Sequence, residues 1–158
     1  MTLSLTRWLF ILAISAWAGT AAAQEWFRHG FLSYPWGMPI DSMKRYRALA
    51  SPRLDGVHQW FETEIRVLEG VSIADCEFEF IEGRFSGVLI RTGSAKQSHR
   101  LRSWIAEHLG GTGLNGSLGY QWFLRDIHIK YDESTTGEAY IYWYSRAVAI
   151  PSDGPAGQ

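Results

Sequence analysis

The sequence contains a single cysteine, Cys76, among its 158 residues, so no disulfide can form within the chain. Small exported proteins with too little core often depend on disulfides, and this chain has to be stable without them. In an oxidising compartment a lone thiol has to be buried, or it pairs with another chain or reacts. The alternating pattern around Cys76, described below, predicts that it lies in the core.

Long apolar runs are also absent. The longest, Trp8 to Ala18, is about half of the roughly 20 residues that a membrane-spanning helix needs. Arg7 precedes this run and the small residues Ala21 to Ala23 follow it, which is the order of a secretory signal peptide. We expect residues 1–23 to be removed after Ala23, with an uncleaved N-terminal anchor as the alternative. No cysteine stands at the cleavage site, which argues against a lipoprotein.

The sequence has no surplus of either charge. Lys and Arg number 15 against 16 Asp and Glu, and residues 1–23 contain one basic and no acidic residue, so the remainder carries a net charge of −2. Nucleic-acid binding needs a basic surface that displaces condensed counterions. Nucleic acid is therefore not an expected partner. The remaining chain of about 135 residues suits one domain, 24–150, followed by a flexible Pro/Gly/Ser-rich tail, 151–158.

A repeated stretch organises the chain. Gln59 to Val67 returns 62 residues later as Gln121 to Ile129, and both copies begin Gln-Trp-Phe. The same offset places Phe78 on Tyr140 and Phe80 on Tyr142. Such a period predicts an internal duplication, with repeats at about 36–92 and 94–148.

Each predicted repeat starts with a helix. The first, at roughly 40–50, has Pro39 near its first turn and stops at Ser51-Pro52. Its basic face is expected to be solvated, with an anionic lipid or acidic partner as the alternative; it consists of Lys44, Arg45 and Arg47. The second is capped by Ser94 and has an apolar stripe at helical spacing, made of Leu101, Trp104, Ile105, His108 and Leu109.

Strands follow each helix, because the apolar period changes to two. One begins at His58. A hairpin with Glu82-Gly83 as its turn places Phe80 opposite Phe85, Phe78 opposite Gly87 and Cys76 opposite Leu89. Further strands are predicted at 120–124, 126–131 and 139–148.

These elements predict an α+β domain, in which two αβββ repeats form an antiparallel sheet of about six strands. Two helices pack on one face, and the N-terminal arm, 24–34, is placed on the other face as an option. Two smaller sheets packed at an angle are the alternative.

The residues Gly37 to Met43, which read Gly-Met-Pro-Ile-Asp-Ser-Met, resemble the Gly-Met-Thr-x-x-x-Val opening of the first helix in a small periplasmic component of the outer-membrane β-barrel assembly machinery. Pro39 stands where that family has threonine. The doubled helix-and-sheet unit is similar to the tandem-repeat β-lactamase inhibitor proteins. Both groups are exported binding modules without catalysis, so the resemblance implies an interaction surface made by the sheet.

Catalytic patterns are weak. His58, Glu62 and Glu64 share a strand face and could join His128 around Zn²⁺, but the first three span about 20 Å at ~3.3 Å per residue. Cys76 has no accompanying redox or protease motif, and its predicted burial argues against a nucleophile. We expect no metal and no other cofactor.

Aromatic side chains on half-polar strands are typical of protein interfaces. The candidate binding residues are Trp60, Trp122, Tyr140, Tyr142 and Tyr144; the alternative is that the N-terminal arm or the other half of the chain covers them. The sequence predicts a periplasmic or secreted, non-catalytic interaction module, monomeric or weakly dimeric, with an envelope or secreted protein as partner. A metal-dependent hydrolase and a carrier of a small apolar ligand are the alternatives.

Overall fold

The structure is a computed structural model that describes residues 28–43, 53–109, 113–116 and 119–149. A short 3₁₀ turn spans Ile40–Met43. The two helices after it are α1, Ala95–Leu109, and α2, Arg146–Ala149. The strands are β1 Gly30–Phe31, β2 Tyr34–Pro35, β3 Arg53–Asp55, β4 His58–Glu62, β5 Val67–Leu68, β6 Val71–Ser72, β7 Asp75–Ile81, β8 Arg84–Arg91, β9 Leu114–Gly116, β10 Gly119–Leu124, β11 Ile127–Glu133 and β12 Ala139–Ser145.

Eight of the described strands form one antiparallel sheet in the order β3-β4-β7-β8-β12-β11-β10-β9. The pairs β1-β2 and β5-β6 form two small ribbons outside it. The α+β class and the antiparallel sheet are thus confirmed, whereas the predicted count of about six strands was too low. Within this sheet, the strands that the pattern missed are the two edges, β3 and β9. Each has three residues, which is too short to show an alternation.

The hairpin between β7 and β8 turns at the predicted residues. Glu82 and Gly83 both have positive φ, 51° and 73°, as a two-residue type I′ turn requires. Phe80 faces Phe85, as predicted. Beyond that pair the register shifts, because Ser86 is an extra residue that forms a β-bulge in β8.

The bulge corrects the rest of the predicted register. Phe78 pairs with Val88 and not with Gly87, while Cys76 pairs with Ile90 and not with Leu89. Cys76 lies in the core with no exposed surface, and burial raises the pKa of its thiol to about 12. The thiol is therefore protonated and inaccessible.

One face of the sheet, which we call the helix-covered face, carries the core. The second predicted helix is confirmed as α1, and it buries Ser98, Leu101, Ile105 and Leu109 against this face. The ribbon β5-β6 adds Leu68 and Val71 to the same core. The sheet contributes the inward side chains of its strands: Cys76, Phe78, Val88, Ile90, Trp122, Ile127, Ile129, Tyr131, Ile141 and Trp143.

The N-terminal segment packs on this same face, not on the opposite one. The ring centroid of Phe31 lies 6.1 Å from Phe78 and 5.5 Å from Trp143, and that of Tyr34 lies 5.1 Å from Phe78. Apolar rings gain most where the strands present apolar side chains, so the segment and α1 share one core. The optional placement of the arm over the other face is wrong for residues 28–34.

The first predicted helix is described only at its start, as the 3₁₀ turn. Residues 44–50, with Lys44, Arg45 and Arg47, lie outside the described residues, as do the predicted signal peptide, 1–23, and tail, 151–158. None of the helices in the described residues is both long and apolar enough to cross a membrane.

The strand order is symmetric about the junction between β8 and β12, with four strands on each side. The sequence offset of 62 follows this symmetry for β4, which it equates with β10. It departs from the symmetry for β7, which it equates with β12, whereas the equivalent position in the sheet is β11. The duplication therefore stays a prediction.

Candidate interaction face

The other face of the sheet, which we call the open face, carries polar and aromatic side chains. The strand registers place six residues in one row across it, each opposite the next: Trp60, Glu79, Gly87, Tyr144, His128 and Phe123. Side chains alternate along a strand, so the residues two positions away lie on the same face. The neighbouring row includes Glu77, Leu89, Tyr142, Lys130 and Gln121.

A carboxylate is buried in the middle of this face. The side chain of Glu79 is 1% exposed and has three polar partners: Tyr142 Oη at 2.6 Å, His58 Nδ1 at 2.6 Å and Ser86 Oγ at 3.0 Å. Burying a carboxylate is costly unless hydrogen bonds replace its hydration, and these contacts supply that replacement. The Ser86 contact depends on the β-bulge, which turns this hydroxyl toward the open face.

Tyr142 reaches Glu79 by extending over β8, where Gly87 leaves room for it. A Cβ atom at position 87 would lie 2.6 Å from Glu79 Oε2, 3.0 Å from Tyr142 Cε2 and 3.2 Å from Tyr144 Cβ. Any side chain at position 87 would therefore displace the ring or the carboxylate. Burial and the bond to Glu79 raise the pKa of the Tyr142 hydroxyl, so it stays protonated and donates.

Five rings drawn from these two rows of residues stand side by side across the face, and we call these five rings the aromatic row. Centroid separations are 5.8 Å from Trp60 to Tyr142, 4.6 Å from Tyr142 to Tyr144, 5.1 Å from Tyr144 to His128 and 4.1 Å from His128 to Phe123. Such contacts stabilise pairs of rings beyond the area that they bury. The row is therefore a preorganised surface.

His128 is held at both ring nitrogens. Nδ1 lies 2.6 Å from Tyr144 Oη, and Nε2 lies 2.9 Å from Gln121 Oε1. Burial, followed by the charges of Lys130 and Arg146, lowers the pKa of His128 below its usual value of 6.5. The neutral imidazole therefore donates a hydrogen bond from Nε2 to the Gln121 side-chain oxygen. At Nδ1 it accepts a hydrogen bond from the Tyr144 hydroxyl group.

Most charges at the β4-β7 end of the open face are paired. Arg53 contacts Glu77 at 2.8 Å and also lies over the Trp60 ring at 5.0 Å. Arg66 contacts Glu62 at 2.9 Å. Exposed pairs such as these contribute little stability. Their effect is to balance the charges at the Trp60 end of the face.

The predicted binding residues divide into three groups: those in the aromatic row, one elsewhere on the open face, and Trp122 in the core. Trp60, Tyr142 and Tyr144 meet in the aromatic row and are half-buried. Tyr140 lies on the same face outside the row and is 45% exposed. Phe123, which the sequence prediction missed, is 52% exposed at the end of the row.

Trp122 requires a correction. It is 4% exposed and belongs to the core of the helix-covered face. Although Gln-Trp-Phe occurs in both β4 and β10, Trp60 points to the open face and Trp122 away from it. A shift of one residue along a strand moves every side chain to the other face, and local sequence does not reveal that shift.

The residues considered for zinc do not meet. His58 bonds to Glu79, while Glu62 pairs with Arg66. His128 lies four strand positions from His58, which is about 19 Å at ~4.8 Å per strand. Among the described residues no cluster of three His, Cys, Asp or Glu side chains could hold a metal ion.

Sequence reasoning also missed Glu79 and Gly87. The alternation of Glu77 and Glu79 with Phe78 and Phe80 correctly indicated a strand with one polar side. It could not show that one of these glutamates is buried, because its partners come from distant strands. The only local signal was the glycine in the middle of β8, a position that often marks close approach of another group.

The fold and this face define an α+β protein with a preorganised aromatic and polar sheet surface. No protein-family model and no curated protein matches the sequence, and no solved structure matches the fold.

Proposed function

We propose that the chain is an exported, non-catalytic interaction protein of the cell envelope, and that its open face binds a protein partner in the periplasm or outside the cell. The observation that carries the proposal is the exposure of two rings on the face opposite α1. They are Phe123, at the end of the preorganised aromatic row, and Tyr140, which lies outside it. Aromatic anchors surrounded by polar groups are the composition of interaction hot spots.

The dimensions of the face suit a macromolecule. Eight strands at ~4.8 Å spacing span about 34 Å, and strands of six to seven residues are about 20 Å long. The resulting area, on the order of 600 Å², is close to the roughly 800 Å² that each partner contributes to a standard interface. A small ligand would cover only part of it.

The contacts on the face favour a protein partner over the other candidate functions. Tyr142 and Tyr144 stack on each other at 4.6 Å, so an apolar ligand does not fit between them. For a metal-dependent hydrolase, His58 and His128 lie too far apart to share an ion. Paired charges around exposed rings are instead typical of the rim of a protein interface.

The layout of the fold also supports an interaction role, because a helix packs on one side of an antiparallel sheet and leaves the other side for recognition. The symmetric strand order supports a doubled unit of four strands in place of the predicted three. In such a unit β3, β4, β7 and β8 correspond in order to β9, β10, β11 and β12.

Site-specific photo-crosslinking in cells tests the proposal. A crosslinking amino acid at Phe123 or Tyr140 is expected to capture a protein that is not captured from Glu107, an exposed position on α1 at the opposite side of the sheet. The full chain, including residues 1–23, is used so that export is retained. Capture from Glu107 alone, or no capture from either sheet position, would contradict the proposal.

A second experiment separates binding from stability. Tyr140→Ala and Phe123→Ala are expected to keep the melting temperature and to lose the captured protein. Tyr142→Ala is expected to lower the melting temperature as well, because Tyr142 is bonded to Glu79. If both variants with exposed substitutions still capture the protein, its contact lies elsewhere on the chain.

A further inference from the structure

Two tyrosine hydroxyls within the aromatic row are bonded to basic groups, which a binding surface does not require. Tyr142 donates to the Glu79 carboxylate and Tyr144 to the His128 imidazole, both at 2.6 Å. Each phenol therefore has a proton acceptor in place. A phenol that can release its proton as it loses an electron is far easier to oxidise than one that cannot.

We propose that Tyr142 and Glu79 form a proton-coupled electron donor. When a one-electron oxidant removes an electron from Trp60 on the open face, Tyr142 replaces that electron. The oxidant is an outer-sphere one-electron acceptor, such as a high-potential metal complex or an organic radical. It removes one electron from the Trp60 ring and is itself reduced by one electron.

The Tyr142 ring then returns an electron to Trp60, which becomes neutral again. In the same step the Tyr142 O–H bond breaks, and the proton moves to the Glu79 Oε2 atom. The products are a neutral tyrosyl radical, a neutral carboxylic acid and the reduced oxidant. Charge and protons balance within the pair, so no ion has to be created in the buried part of the face.

The surrounding charges set the direction of this transfer. The Arg53 guanidinium lies 5.0 Å above the Trp60 ring, and a cation there disfavours a positive charge on that ring. Tyr142 has the Glu79 carboxylate at 2.6 Å from its hydroxyl, which stabilises an electron deficit in its ring. Oxidation is therefore favoured at Tyr142 over Trp60.

The same reasoning places the radical on Tyr142 and not on Tyr144. The Lys130 ammonium lies 5.5 Å from the Tyr144 ring centroid, which opposes the loss of an electron from that ring. Tyr142 and Tyr144 thus differ in the charge beside their rings despite their stacking at 4.6 Å.

Flash photolysis of the full chain tests the assignment. A photosensitised tris(bipyridine)ruthenium(III) complex serves as oxidant, and transient absorption and electron paramagnetic resonance separate tryptophan from tyrosine radicals. Compared with the wild type, Tyr142→Phe is expected to lower the tyrosyl yield at least twofold and to lengthen the life of the tryptophan radical several-fold. The matched control is Tyr120→Phe, which removes a partly buried tyrosine of the helix-covered face and is expected to change neither.

The substitution Glu79→Gln tests whether the Glu79 carboxylate accepts the proton. It keeps the size of the side chain and removes its basicity, so the decay of the tryptophan radical is expected to slow several-fold. The solvent deuterium isotope effect on this decay, present in the wild type, is expected to disappear. A merely structural role of Glu79 would not produce an isotope effect that depends on it.

Three results would overturn the proposal. They are an equal tyrosyl yield in wild type and Tyr142→Phe, a larger loss in Tyr120→Phe than in Tyr142→Phe, and an unchanged decay in Glu79→Gln. If a substitution of Tyr142 or Glu79 unfolds the chain, Trp60→Phe replaces it. In that variant the tyrosyl radical is expected to form more slowly than in the wild type. An unchanged rate of tyrosyl formation refutes the route through Trp60.

Discussion

The substitution Gly87→Ala tests whether the open face is built by close approach over β8. The added methyl group would lie 2.6 Å from Glu79 Oε2 and 3.0 Å from the Tyr142 ring. Glu79 cannot give way, because it is buried with three polar partners. The Tyr142 ring therefore has to lift from the strand, which disturbs its stacking on Tyr144 and breaks its bond to Glu79.

The magnitude follows from three contributions. Overpacking in a well-packed region costs about 1–3 kcal/mol. Loss of a hydrogen bond to a charged group adds about 1.5–3 kcal/mol. Replacing glycine by alanine also stabilises by about 0.4–1 kcal/mol, because the unfolded chain loses conformational freedom. We expect the free energy of unfolding to fall by about 1.5–5.5 kcal/mol, which corresponds to a melting temperature lower by about 5–20 °C for a domain of this size.

Urea unfolding monitored by tryptophan fluorescence measures this change, and Gly93→Ala is its control. At Gly93 the nearest atom to an added Cβ is the amide oxygen of the Gln97 side chain at 3.3 Å, which can rotate away. The control is expected to change the free energy of unfolding by less than about 1 kcal/mol. If both variants unfold at the same urea concentration, the argument that Gly87 makes room for Tyr142 is wrong.

Three further predictions concern other parts of the molecule. Trp122→Ala is expected to lower the free energy of unfolding by about 3–5 kcal/mol and Trp60→Ala by only about 1–2 kcal/mol, because only Trp122 is in the core. Equal losses in urea unfolding would contradict the placement of the two side chains on opposite faces of the sheet. The pKa of His128 is lowered in the folded chain, so the unfolded chain binds its proton more readily and stability is expected to fall as the pH drops below about 6.5. In unfolding curves at several pH values, His128→Gln is expected to flatten that slope, and an unchanged slope would assign it to another group. Cys76, with its pKa raised to about 12 and no exposed surface, is expected to react with a thiol reagent only at the rate of global unfolding; rapid labelling of the native chain would show that the thiol is accessible.

The Ser86 bulge links the fold to both proposals. It turns the Ser86 hydroxyl toward Glu79 and shifts the register so that Gly87 lies opposite that carboxylate. Without the extra residue, Phe78 would face Gly87, as the sequence pattern predicted. The buried carboxylate, its tyrosine partner and the preorganised aromatic row therefore depend on one irregular residue in β8.

Local chemistry was sufficient to predict several elements. The apolar stripe from Leu101 to Leu109 predicted α1, because its spacing matches a helix turn. Glu82-Gly83 predicted the hairpin turn, because it separates two alternating segments whose apolar residues it places on one face, and because Gly83 tolerates positive φ. The alternation in β7 predicted a strand with Cys76 inward. These are properties of neighbouring residues, and they do not depend on the rest of the chain.

The sequence by itself determined the α+β class, the main helix and strands, and the alternation that separates a polar from an apolar side. Tertiary structure alone decided that the sheet has eight strands, that Trp60 and Trp122 point to opposite faces, and that Glu79 meets Tyr142 across two strand positions. The physical reason is that alternation is local, whereas the choice of the buried face and the partners of a side chain depend on pairing between strands that are distant in the chain.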